Sequence, residues 1–189
     1  MRRLPVIVAF LPVWAAALPA ADPLYESAHR KLDQIESRQV KRGSTVTFTP
    51  QEINAWARVV VPATVPEGIR GERVELGEGS ASGSAIVDFL KMRQAKGEPV
   101  NWFMTKLLEG ERPLRVSVTL ESAAGYCVVR LTRVEISNVA ANAAVLDFLI
   151  KTFFLPLYPD AKINEPFELD YDIDRIDVHP DSVRVVIKR

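Results

Sequence analysis

The run from Leu114 to Ile136 constrains this chain most. Leu114, Val116, Val118 and Leu120 alternate with Arg115, Ser117, Thr119 and Glu121; Ala124-Gly125 then turns the chain, and Tyr126 to Ile136 returns with Cys127, Val129 and Leu131 apolar. A period of two with one dry and one wet side marks a half-buried strand, and two such strands joined by a tight turn make an antiparallel hairpin. The inward set slips by one position near Thr132, continuing at Val134 and Ile136, which predicts a bulge there. A sheet of this kind has one apolar face, and the helices of the chain must cover it.

The remaining elements follow from periodicity and punctuation. Leu24, Ala28, Leu32 and Ile35 recur at helical spacing, predicting a helix over 24–41 that ends at Gly43. Val46 and Phe48 form a short strand. Thr49-Pro50-Gln51-Glu52 then reads as a capping box with proline at the first helical position. The helix it opens presents Ile53, Trp56, Ala57 and Val60 on one face and ends at Pro62 and Pro66. Arg73–Leu76 and a small-residue-rich strand over Ser80–Phe89 make a hairpin about Gly77–Gly79. A helix is expected over 99–109 and another over Asn142–Leu155. Two strands close the chain, one over Phe167–Val178 and one through Val183, Val185 and Ile187, with Pro180-Asp181 between them. The expected fold class is therefore α+β: a curved, mostly antiparallel sheet with helices on its apolar face, in three helix-plus-hairpin units.

The first residues read differently. Arg2-Arg3 precede an apolar run from Leu4 to Leu18, then Pro19-Ala20-Ala21 and the polar Asp22. Basic, apolar and small residues in that order form a secretory signal peptide. The run is about 15 residues, short of the roughly 20 that span a bilayer, and Pro5 and Pro12 interrupt it. The expectation is a signal peptide over 1–21, a single α+β domain over 22–189 and a periplasmic or secreted destination.

Composition and motifs argue against several functions. Basic and acidic residues balance at 24 each, so bulk charge gives no case for nucleic acid. The lone Cys127 cannot form an intramolecular disulfide and reads as a small buried apolar residue. His29 falls on a charged helix face and His179 beside Pro180 in a turn; no Gly-rich phosphate loop and no G-x-S-x-G motif is present. Asp170, Asp172 and Asp174 resemble the start of a calcium loop, but Arg175 stands where the turn glycine belongs and Asp181 replaces the closing glutamate. That run reads as a solvated strand face. The expectation is no enzyme, no catalytic residue, no metal and no cofactor.

The apolar helices point elsewhere. The helix from Asn142 is apolar round most of its circumference, with Val145, Leu146, Phe148, Leu149, Ile150, Phe153 and Phe154, and the 99–109 helix carries Trp102, Phe103, Met104 and Leu107. Such faces are either buried in a curved sheet or line an apolar cavity. Trp56, Trp102, Phe103, Leu107, Phe148, Leu149, Phe153 and Phe154 are the candidate ligand-binding residues.

Phe48-Thr49-Pro50-Gln51-Glu52-Ile53-Asn54-Ala55-Trp56 resembles a segment of small exported bacterial proteins related to the tubular lipid-binding, or BPI-like, superfamily. The following order of hairpin, strand pair to Val134-Glu135-Ile136, apolar helix and terminal strand pair is similar too. The resemblance implies a curved sheet wrapped on a helix around an apolar channel; it carries over no ligand-contacting residue. The expected function is an exported, non-catalytic binding protein for lipid or another apolar small molecule. The alternative is an envelope protein–protein interaction or scaffolding module, contacting envelope proteins or a membrane surface through Phe154, Leu157 and Tyr158.

Overall fold

The computed structural model describes residues 22–64, 68–95, 109–151 and 163–189. The signal peptide read over 1–21 lies outside them, as does the helix read over 99–109 but for Glu109, which is not helical. The element order is α1 (Pro23–Glu36), β1 (Thr45–Phe48), α2 (Pro50–Thr64), β2 (Ile69–Gly77), β3 (Ser80–Val87), α3 (Phe89–Ala95), β4 (Arg112–Ala123), β5 (Tyr126–Ile136), β6 (Val139–Ala140), α4 (Ala143–Leu149), β7 (Pro166–Glu168), β8 (Ile173–His179) and β9 (Ser182–Ile187). The fold is α+β, and every described strand pairing is antiparallel. The strands form two sheets rather than one: β1-β9-β8, and β2-β3-β4-β5-β6 with β7 also on β5.

Local chemistry explains the boundaries. Thr49 caps α2 as read: the Glu52 amide donates to Thr49 Oγ1 at 3.2 Å, and the Thr49 amide to Glu52 Oε2 at 2.8 Å. Several boundaries differ from the reading, three of them for visible local reasons. α1 stops at Glu36, because Arg38 takes a left-handed φ of 55° and the Arg38 and Gln39 amides donate back to the Ile35 and Gln34 carbonyls. This pattern closes a helix without glycine. α2 continues through Pro62 to Thr64, so only the last turn tolerates the proline. β3 ends at Val87, not Phe89: Asp88 accepts from the Lys91 amide at 3.0 Å and starts α3.

The bulge sits where the pattern places it. Ser117 pairs with Arg133 and Val118 with Leu131, leaving Thr132 extra, and its hydroxyl donates to the Ser117 carbonyl at 2.9 Å. The long strand read over Phe167–Val178 is instead two, β7 and β8, parted by a tight turn. Tyr171 and Asp172 both have φ of 58°, and the Ile173 amide donates to the Asp170 carbonyl at 3.1 Å. The aspartates of 170–174 therefore do not share a strand face.

The buried residues fall into two clusters. One holds Val87, Phe89 and Met92, with Leu90, Leu114, Ile136 and Leu149 packed against it. The other joins α1, α2, β1 and β9 through Ala28, Ile35, Phe48, Val185 and Ile187, with Ile53 and Trp56 against it.

Candidate functional site

The register of the larger sheet sorts its side chains onto two faces. Val74, Gly83, Val116 and Val134 are in line across β2 to β5, as are Leu76, Ala81, Val118 and Leu131. Opposed residues in an antiparallel pair point to the same side, so these rows, with Leu114, Leu120 and Val129, make an apolar face. The opposite face carries Arg73, Glu75, Ser82, Ser84, Arg115 and Ser117, where Arg115 pairs with Glu75 and the Ser82 and Ser117 hydroxyls bond at 2.8 Å.

Among the described residues, the apolar face is covered at its two ends and not between them. At the Leu114–Ile136 end lies the cluster under α3 and α4. At the other end β8 crosses: Ser122 Oγ donates to the Ile176 carbonyl and accepts from the Ile176 amide, both at 2.7 Å. Between them, Val74, Leu76, Ala81, Val116, Val118 and Leu131 are only half-buried, and Gly83 is exposed. A Cβ added at Gly83 would meet nothing within 4 Å. By register and side-chain size, Ala81 and Gly83 of β3 make a low strip, a shallow groove, between Val74 and Leu76 of β2 and Val116 and Val118 of β4, while Ala85 packs against the cluster at one end.

Of the eight residues singled out from sequence, two are described in full. Leu149 packs against the cluster that closes one end of the apolar face, and Trp56 against the other cluster; the structure does not bring them together in one cluster. Trp102, Phe103, Leu107, Phe153 and Phe154 lie outside the described residues, and so does the Phe148 side chain. Leu157 and Tyr158 are outside them as well. The groove residues of β2–β4 were overlooked as a site, although Ser80-Ala81-Ser82-Gly83-Ser84-Ala85 is a visible run of small residues.

The reactive side chains sit in ordinary surroundings. Cys127 is buried, which pushes its thiol pKa up and keeps it protonated. His29 stacks on Tyr25 with ring centroids 5.6 Å apart, and His179 Nδ1 is 2.9 Å from Glu78. Among the described residues the most buried carboxylate is Glu52, held by Lys31 Nζ at 2.6 Å and by the Ser27 hydroxyl at 2.6 Å. It ties α1 to α2. Among the described residues no group of three or more His, Cys, Asp or Glu could hold a metal, and no helix is long and apolar enough to cross a membrane.

No protein-family model matches the chain, and a search of curated proteins returns no match.

Proposed function

We propose that this is an exported, non-catalytic protein that binds lipid or another apolar ligand on the apolar side of its larger sheet. One observation carries the reading: an exposed glycine with open space above it lies in the middle of a row of valines and alanines. A packed core fills such space with side chains. An acyl chain laid along Ala81 and Gly83 would exclude water from both groove walls, at about 0.8 kcal/mol per methylene buried. The leader over 1–21 supports export to the periplasm or outside the cell, and the similarity of 48–56 to exported relatives of the tubular lipid-binding superfamily supports the ligand class.

Gly83→Val tests this directly. Valine suits a strand better than glycine, and its Cβ has room, so the fold should be kept or strengthened by up to about 1 kcal/mol. The side chain would occupy the groove. Native mass spectrometry of the wild-type protein after incubation with mixed phospholipids and fatty acids should show bound lipid, and the variant should bind much less. Equal lipid occupancy in a folded Gly83→Val protein, or no lipid on the wild type, would refute the groove.

A further inference from the structure

A second recess lies at the far end of the smaller sheet, away from the apolar groove. It measures about 260 Å³; Ile35 and Ile187 line it, and so do Arg38, Arg42, Tyr171 and Asp172. Both Ile35 and Ile187 are buried core residues. Three of the other lining residues have backbones that side chains rarely adopt: Arg38 at φ 55°, and Tyr171 and Asp172 at φ 58°. Tyr171 and Asp172 are the two central residues of a turn with both φ positive, positions where Asn and Gly are the undemanding choices. A bulky aromatic there is strained, and strain of this kind collects at functional sites. The turn presents Tyr171, 42% exposed, at the rim. Asp172 Oδ2 also lies 3.6 Å from Arg38 Nε, a long ion pair between exposed side chains. Arg42 has no ion-pair partner among the described residues. Lys41 adjoins it in sequence, and the Arg189 side chain lies beside Gly43.

We infer that this recess is a binding site for a phosphate group. Two guanidinium groups, Arg38 in a long pair with Asp172 and Arg42 without an ion-pair partner among the described residues, offer planar forks of donors that match phosphate oxygens. The Tyr171 hydroxyl can add a donor, and the isoleucines give an apolar wall for whatever carries the phosphate. The bearer is either a soluble phosphate compound or the head group of an anionic lipid, and the same arginines would take both. This inference does not depend on the apolar groove.

The test uses the whole protein without its leader, titrated calorimetrically with inorganic phosphate at low ionic strength and then assayed by co-sedimentation with phosphatidic acid and with phosphatidylcholine vesicles. Arg42→Ala is the main variant, because an exposed side chain can be removed without loss of fold; Arg38→Ala is the second, and Arg58→Ala, on α2, is the control. Saturable binding of phosphate or of phosphatidic acid vesicles, weakened roughly tenfold or more by Arg42→Ala and Arg38→Ala but not by Arg58→Ala, is expected. Saturable binding of free phosphate without binding to phosphatidic acid vesicles would identify a soluble ligand; vesicle binding without saturable binding of free phosphate would identify the lipid head group. Equal binding by wild type and Arg42→Ala, or no saturable binding to either probe, would overturn the site.

Discussion

Glu52 concentrates several roles in one side chain. Burial alone would raise its pKa and is the largest single influence, but hydrogen bonds from Lys31, Ser27 and the Thr49 amide together outweigh it and lower the value to about 2. A carboxylate whose pKa falls on folding adds stability that is complete above its unfolded value of 4.5 and disappears as pH drops towards about 2. Glu52→Gln keeps the shape, and a glutamine can still cap Thr49, but it leaves Lys31 without its charged partner. The variant should therefore be less stable than wild type by about 2–3 kcal/mol at pH 7, with the gap narrowing as pH falls from about 4.5 towards 2. Urea unfolding at pH 7 and at pH 3 measures this. A gap of the same size at both pH values would mean that Glu52 acts through packing rather than charge.

At the scale of elements, the edge of the larger sheet shows how a helix can finish a strand. Asn54 on α2 faces Val74 on β2: its side-chain amide donates to the Val74 carbonyl, and its oxygen accepts from the Val74 amide, both at 2.8 Å. The side chain takes the place of a neighbouring strand at one position, and unpaired strand edges promote association. Asn54→Ala should cost about 1–3 kcal/mol, the expense of leaving two part-buried backbone groups unpaired. It should also raise the protein's tendency to self-associate, which sedimentation velocity would detect. An unchanged unfolding midpoint would show that water replaces Asn54 without loss. The sequence announced some elements and hid others for related reasons. The Thr49–Glu52 box and the Thr132 slip are local codes, spelled out within a few residues, and both are read correctly. Arg38, Tyr171 and Asp172 use left-handed backbone without glycine, so the end of α1 and the β7–β8 turn gave no composition cue. The groove was half legible: the alternation on β4 and the small residues of β3 are plain, but only the register puts Val74, Gly83 and Val116 in one row.

The division into two sheets belongs to the whole molecule, and no periodicity could have revealed it, because it depends on where distant chain segments stop pairing. β8 meets the larger sheet through the turns of its hairpins rather than as a further ladder strand. The Gly79 amide donates to the Val178 carbonyl at 2.9 Å, the Gly125 amide to the Asp174 carbonyl at 2.7 Å, and Ser122 makes its paired bonds to Ile176 between them. Asn54 on the edge of β2 and Ser122 against β8 are thus one device used twice, a short polar side chain that satisfies a strand residue where no strand lies alongside. Ser122 stands on the apolar face of the larger sheet, so its bonds fix how β8 closes that end of the groove. Ser122→Ala removes both hydrogen bonds and leaves the Ile176 amide and carbonyl part-buried and unpaired, a cost of about 1–3 kcal/mol. The loss should be local to the junction. Native-state hydrogen exchange is expected to quicken at Ile176 and its neighbours on β8, with little change at the β3–β4 amides beyond the fall in global stability. Uniform acceleration across both sheets would show instead that the two sheets open as one cooperative unit. In that case the junction would be part of a single core, and β8 could not part from β4 without opening both sheets.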